Sequence, residues 1–385
     1  MKLAFYLAYK NLMGAGLRTW LNAGVLSFAF VVIIFFNGLI DGWNKEASID
    51  GVNWEYANGH VLNNDYDAYD PFSIENGYGV LPTEKQANLI PILINQATIY
   101  PQGRMMATLL KGIDANQTTL KIPTQQLLSS KAAIPALIGK RMAESTKLKI
   151  GESVLIRWRD KNGTFDAANV TIVAIFDSNV PSVDGGQIWI PIQTLWKMTG
   201  LEEHATLYVA NEDYAYSETS GWRFESQEEL LSELTKIIGM KKISGSIIYI
   251  LLMAISLLAI FDTQVLSIFR RQKEIGTYIA LGMTRFQVVR LFTAEGTMYS
   301  IFATIIGGMY GIPLLWYFAH TGITFPLSGD SVGIIMPSTM YPIYGLGLIL
   351  GTILAVVISA TIVSFLPARK IAKMNPVEAL KGKVS

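Results

Sequence analysis

Three polar side chains stand in or beside long apolar runs of this sequence: Asp262, Gln264 and Glu295. A carboxylate inside a membrane segment is a functional candidate by default, because its burial is costly and it survives only with a partner or a task. A proton or ion relay is the chemistry such groups would serve. All three lie near the ends of their runs, beside Arg270 and Arg290, so interfacial ion pairing is the expected arrangement. Other chemistry is sparse. The chain has no cysteine, which excludes thiolate nucleophiles, thiolate metal sites and disulfide staples. His60, His204 and His320 are far apart in sequence and do not suggest a metal site. Lys140 follows Gly139, but position 134 is not glycine and Arg141 is not a hydroxyl residue, so the phosphate-cradling GxxxxGK[ST] loop is missing. Nor does HExxH occur. No catalytic residue, no metal site and no cofactor site are expected on this chain.

The elements that would position those polar groups follow from hydropathy. Residues 21–40, 247–268, 297–318 and 343–366 form apolar runs, each exceeding the ~18 residues that mark a candidate membrane span. The first is not expected to be a cleaved signal peptide. Its charged leader is too long, and no small-x-small site follows. Lys2, Lys10 and Arg18 precede the first span. Arg270, Arg271, Lys273, Arg285 and Arg290 separate the second and third, and Arg369, Lys370, Lys373, Lys381 and Lys383 follow the fourth. Residues 319–342 carry no Lys or Arg. This bias predicts cytoplasmic termini and a cytoplasmic middle loop. Most acidic residues sit in the long segment between spans one and two, which is predicted to lie outside. Trp20, Trp43, Trp316, Tyr317 and Tyr344 fall at span ends, where amphipathic rings favour the headgroup layer. Residues 2–20 can form an amphipathic entry helix lying in the inner headgroup layer.

The outer segment, residues 44–242, is long enough for one large domain or two small ones. Two strand-like runs, 153–158 and 168–176, flank Asn162-Gly163, a hairpin pattern. Residues 187–192 read as another strand. Helices are expected over 83–97, 140–148 and 226–243. The last has Ser226 as N-cap and Glu229 at the capping-box position. It runs almost directly into span two, which predicts a stiff connection.

Two stretches resemble a known family. Residues 269–296 carry a basic run with Lys273, then Glu274-Ile275-Gly276, Leu281-Gly282 and Glu295-Gly296. Residues 365–383 contain Pro367-Ala368-Arg369 and Asn375-Pro376-Val377-Glu378-Ala379-Leu380. Both resemble the FtsX-like permease domain. Residues 109–114, 136–156 and 173–192 are similar to the periplasmic core domain of MacB-type and lipoprotein-releasing (Lol) permeases. The resemblance implies a dimeric membrane subunit of an ABC transporter, closest to the Lol C/E type. It places Lys273, Glu274, Ile275, Gly276, Leu281 and Gly282 on a coupling segment that docks on an ATPase. The chain begins about 20 residues before its first span, so the ATPase, with its ATP and Mg, is expected on a separate chain.

The expectation is an α-helical membrane protein with four transmembrane helices, plus an α+β extracytoplasmic domain inserted between helices 1 and 2. Its parts are an entry helix (1–20), spans at 21–43, 243–268, 291–318 and 343–366, the periplasmic domain (44–242), a coupling loop (269–290), a periplasmic loop (319–342) and a cytoplasmic tail (367–385). Bacterial inner-membrane location is implied. The expected partners are a pair of cytoplasmic ATPase subunits, a second copy or related permease, membrane lipids, lipoprotein cargo, and a periplasmic chaperone or adaptor, but no nucleic acid. Acyl chains would pass between spans one and two, with Phe28, Phe35, Phe36, Met253 and Leu257 as lining. The alternatives are a tripartite exporter of peptides or drugs and a non-transporting regulator of an extracytoplasmic hydrolase.

Overall fold

The computed structural model describes residues 16–324, 335 and 339–373. Most of the expected entry helix, much of the 319–342 loop and the tail motif from Asn375 onward lie outside these residues. The chain divides into two compact units. One comprises Met1–Gly42, Ile238–Ile323 and Met340–Ser385, the other Trp43–Ile237 and Thr324–Thr339.

Five helices frame the first unit: α1 (Leu17–Gly51), α2 (Gln227–Arg270), α3 (Gln272–Ala280), α4 (Arg285–Thr321) and α5 (Leu346–Ala368). By length and composition, α1, α2, α4 and α5 are all able to cross a membrane. Their packing relies on close fit, since lipid offers no hydrophobic drive for helix association. Leu26, Phe30, Ile34, Ile260, Tyr299, Ala303 and Ala360 form the shared core. Small residues let α1 and α4 approach. A Cβ on Gly311 would stand 2.8 Å from a Val31 methyl, and one on Gly307 3.0 Å from the Phe30 ring. As expected, the helix capped by Ser226 continues unbroken to Arg270. Its capping box is present: the Ser226 N–H donates to Glu229 Oε2 at 2.8 Å and the Glu229 N–H to Ser226 Oγ at 3.3 Å.

The second unit is built on nine strands in the order β3-β7-β4-β6-β5-β2-β8-β1-β9. The strands are β1 (Gly59–Asn63), β2 (Leu89–Ile99), β3 (Met106–Ile113), β4 (Pro135–Gly139), β5 (Ser153–Arg159), β6 (Phe165–Phe176), β7 (Gln187–Pro191), β8 (Leu207–Ala210) and β9 (Trp222–Ser226). Strand β2 also pairs with β3, so six strands close into a ring. Closure removes the exposed edges that open sheets must protect. Inward alternation on β5 (Val154, Ile156, Trp158) meets Val170 and Ile172 of β6, Ala136 and Ile138 of β4, and Ile188 and Ile190 of β7. The expected hairpin across Asn162-Gly163 joins β5 to β6, with Gly163 at φ +83.

One expected element is wrong. Residues 83–97 are not a helix: Thr83–Lys85 is a single 3-10 turn, and β2 follows. Pro91 cannot donate to a helical ladder, and Ile90, Ile92 and Ile94 are stiff β-branched residues that suit a pleated surface. Pairing with β3, β5 and β8 then satisfies the backbone.

The ring is fastened by one buried ion pair. Arg141 Nη1 lies 2.7 Å from Asp184 Oδ2, and the Arg141 N–H donates to Oδ1 at 3.3 Å. A Cβ on Gly139 would fall 1.8 Å from Oδ1, so glycine makes room for the carboxylate. Burial pushes the Asp184 carboxyl up to about 6 from 3.8, against the opposing pull of Arg141. A raised folded-state value favours the protonated form. The related stability is complete below pH 3.8 and is lost as pH rises through about 6, a change of roughly 3 kcal/mol. Asp184→Asn is expected to flatten that part of the profile. Chemical denaturation of the intact protein at several pH values, with amide exchange in β4 and β7 as readout, checks it; an unchanged slope counts against the assignment.

Candidate functional site

The residues joining α2 to α4 form a compact polar joint. The helix breaks at Arg271, which is the N-cap position of α3. The Arg271 guanidinium grips Glu295 of α4 through both carboxylate oxygens, at 3.0 and 2.9 Å. Its Nε also donates to Glu274 Oε2 at 2.7 Å, and the group lies 4.8 Å over the Phe292 ring. Glu295 is only 3% exposed. A buried carboxylate of this kind persists only when its charge is matched and hydrogen-bonded. One side chain thus ties α3 to the buried acid of α4.

This corrects the ion-pairing expectation in three ways. The partner of Glu295 is Arg271, not Arg270 or Arg290. Arg290 instead stacks over Phe286 at 5.8 Å. Gln264 is buried with its Oε1 unpartnered. Asp262 is exposed, and no ion pair to it is present among the described residues. Around Gly296, helices α2, α4 and α5 meet at close range. A Cβ there would stand 2.0 Å from Ser364 Oγ and 3.3 Å from Gln264 Nε2. Thr297 and Thr361 share a 3.0 Å hydrogen bond, and Asn22 donates to Thr263 at 2.6 Å. These bonds link helices without a charge.

Within α3, the six residues singled out from sequence divide into two groups. Ile275 is fully buried against Ile268, Val288, Val289, Phe292 and Ile371, and Gly276 is buried beside it. Lys273 and Glu274 face outward. Leu281, just past the helix, is 79% exposed, and Gly282 adopts φ +98, which ends the segment with a tight turn that glycine accommodates. Thr284 then caps α4 through a full capping box with Gln287. The result is a short helix anchored on one face and open on the other. Arg271 is the residue that sequence reading missed as an anchor. It stands in a basic run, and only the i,i+3 spacing to Glu274 hints at its pairing.

The five lining residues do not share one surface. Phe28 is 59% exposed and lies in an open apolar groove of about 450 Å³ along α1, with Leu17, Trp20, Leu21, Gly24 and Val25. Phe36 stacks on Tyr249 of α2 at 6.4 Å between centroids. Phe35, Met253 and Leu257 pack into the helix core instead, Phe35 edge-on to Phe318. In the strand unit, a cleft of about 840 Å³ is lined by Arg157, Lys161, Phe165, Gln96 and Pro71, among others. Among the described residues, no group of His, Cys, Asp or Glu is placed to hold a metal. GxSxG, expected to be absent, does occur as Gly329-Asp330-Ser331-Val332-Gly333, which lies outside the described residues.

Residues 246–376 match the FtsX-like permease C-terminal family. The chain is 22% identical over 325 residues to the lipoprotein-releasing system transmembrane protein LolC of Xylella fastidiosa, covering 77% of this chain and 78% of that protein. It is 26% identical over 166 residues to the macrolide export ATP-binding/permease protein MacB of Psychrobacter cryohalolentis, covering 42% of this chain but only 22% of that protein. Among solved structures, the extracellular domain of the ABC-type transporter YknZ from Gram-positive bacteria matches 40% of this chain and 83% of its own, at 14% identity and a TM-score of 0.26.

Breaking the Arg271–Glu295 pair from one side removes the guanidinium that both oxygens of a buried carboxylate rest on. Arg271→Ala is therefore expected to cost about 3–5 kcal/mol, read as a lowered thermal midpoint in a lipid nanodisc. Adding Glu295→Gln to it should recover most of that loss. If the double variant is no more stable than Arg271→Ala, the pairing does not carry the stability assigned to it.

Proposed function

We propose that this chain, whose residues 246–376 match the FtsX-like permease C-terminal family, is the membrane subunit of an ABC transporter that works by mechanotransmission. The observation that carries this reading is α3. Ile275 and Arg271 hold it down, while Lys273, Glu274 and Leu281 face outward beside a glycine turn. A separate cytoplasmic ATPase seats on that open face. Burying Leu281 alone would contribute about 1.5–3 kcal/mol, and the surrounding charges set the orientation. ATP and Mg are held by the ATPase. Movement of α3 is then passed through Arg271 to α4 and through the short break to α2. The strand unit, inserted in sequence between α1 and α2, lies outside the cytoplasm and acts on cargo there. The termini are cytoplasmic, in line with the distribution of Lys and Arg, and the membrane is a bacterial inner membrane.

The cargo we favour is an acylated lipoprotein released toward the outer membrane, and the extent of the likeness to LolC supports it. Withdrawing three acyl chains costs on the order of 30 kcal/mol if they meet water, at about 0.8 kcal/mol per CH₂. An apolar path must therefore accompany them. Phe28 and Phe36 are the members of the expected lining that stand open to such chains. A second permease copy, or a related permease, completes the path. The MacB likeness favours a second reading, a tripartite exporter with a periplasmic adaptor.

Purification of the tagged protein in nanodiscs, with mass spectrometry of what accompanies it, tests both. An ATPase with acylated lipoproteins is the expected result. An ATPase with an adaptor and an outer channel favours export, and no ATPase after gentle extraction sinks the transporter reading. Leu281→Asp is expected to reduce ATPase recovery at least tenfold, a loss of about 1.4 kcal/mol or more in binding, with the thermal midpoint unchanged. Full ATPase recovery in that variant would remove α3 from the contact.

A further inference from the structure

Where α1 ends, the strand unit holds several features that the transport reading leaves unused. Residues Val52–Tyr56 continue α1 as a π-helical turn, closed by Ala57 N–H donating to Val52 O at 2.9 Å. Such turns are rare and concentrate at functional positions. The next residue, Ala57, is buried at φ +44 and ψ −122, a left-handed backbone that a Cβ makes costly. Three polar side chains then converge on one residue, Ser182. Its hydroxyl donates to Glu55 Oε2 at 2.5 Å, and its carbonyl accepts from Gln187 and, at 3.5 Å, from Lys111 Nζ.

Lys111 is the anomaly in this cluster. It is only 8% exposed, and among the described residues no carboxylate forms an ion pair with it. Its ammonium lies 5.0 Å from the Trp189 ring centroid, and its hydrogen bond to the Ser182 carbonyl is at the outer limit of length. Burial lowers its proton affinity, with Glu55 the charge opposing that effect. The neighbouring Gln187 Oε1 is buried with no partner. His60, 6% exposed, holds the Glu55 carbonyl at 2.9 Å, so the backbone of the turn is tethered while the carboxylate is held by side-chain contacts alone, the Ser182 hydroxyl among them. A buried cation with a carboxylate one residue away, bonded elsewhere, is a pair with a second arrangement at hand.

We propose that Val52–Tyr56 is a bistable joint in which the Glu55 carboxylate exchanges between the Ser182 hydroxyl and the Lys111 ammonium. In the arrangement described here the turn is π-helical, Glu55 sits on Ser182 and Lys111 is unpaired. Re-registering the i→i+5 bond as i→i+4 rotates residues 52–56, relieves Ala57 and brings Glu55 onto Lys111. The two arrangements differ in where strain and unmatched charge reside, which is what gives a joint two stable positions rather than a soft continuum. The outer end of α1, residues 43–51, thereby meets the strand ring in one of two registers. This inference does not depend on the transport reading, and its test needs no ATPase.

The chain has no native cysteine, so paired spin labels can be placed uniquely at Lys45 and Glu144, both exposed positions of this unit. Pulsed resonance on the intact protein in nanodiscs is expected to give two distance populations. Lys111→Met, which keeps the volume, and Glu55→Gln, which keeps a Ser182 hydrogen bond, should each leave only one. Ser182→Ala should move the population ratio at least threefold the other way. A single distance in the parent protein, unaltered by all three substitutions, overturns the joint. So does a response to Lys111→Met with none to Glu55→Gln, which would make the effect one of lysine burial rather than exchange. If Lys111→Met does not fold, Glu55→Gln and Ser182→Ala decide it alone.

Discussion

The guanidinium of Arg271 sits against the buried charge of Glu295. That carboxylate is set among apolar helices, where water cannot solvate it, and both of its oxygens rest on Arg271. The requirement has geometric consequences. Arg271 must stand opposite Glu295, so α2 ends there and the chain turns into α3. The same guanidinium holds Glu274 and covers Phe292, which orients α3 before any partner arrives. Ile275 then finds its pocket between Val288, Val289 and Phe292. The outward face of α3 is therefore set by an interaction made on its inward side. A point charge such as lysine would neutralise Glu295 but not hold two acids at a fixed angle, whereas the planar guanidinium sets Nη1 on Glu295 and Nε on Glu274.

The strand unit answers a different constraint. It lacks disulfides, so its order must come from packing and backbone pairing alone. Ring closure through β2 and β3 leaves no edge along six strands, and alternation fills the interior with Val, Ile, Leu and one Trp. The polar exceptions are local. Asp184 is buried with Arg141 as its counter-charge and Gly139 as its clearance. Among the described residues, Lys111 has no such counterpart. The contrast between a matched and an unmatched buried charge in one unit is why the second carries a mechanical meaning and the first a structural one.

Much of this was legible in the sequence, in proportion to how local the cause was. The long apolar helices follow from hydropathy. The β5–β6 hairpin follows from Asn162-Gly163 between β-rich runs, and the start of α2 from Ser226 and Glu229, three residues apart. Residues 83–97, expected as a helix, form a turn and a strand, because Pro91 and partners on β3, β5 and β8 decide the outcome. The pairing of Arg271 with Glu295 could not be read, because the two are 24 positions apart and the adjacent Arg270 is chemically identical. The division of the coupling residues into buried Ile275 and Gly276 and outward Lys273, Glu274 and Leu281 also needed the fold. So did the dispersal of the five lining residues, since aromatic and aliphatic side chains look alike on both faces of an apolar helix.

Strand β2 serves two structures at once. Leu89 to Ile92 pair with β8, while Ile92 to Ile99 pair with β3 as part of the closed ring. Because side chains alternate along a strand, one inserted residue would turn the inward face outward on everything beyond it. In a free edge strand such a slip is absorbed locally. Here it would have to be absorbed twice, by a ring that cannot widen and by a flanking sheet that shares the same backbone. Change in the length of this unit is thus confined to the turns, and the turns are where a lineage can alter what it handles while β2 stays as a fixed measure.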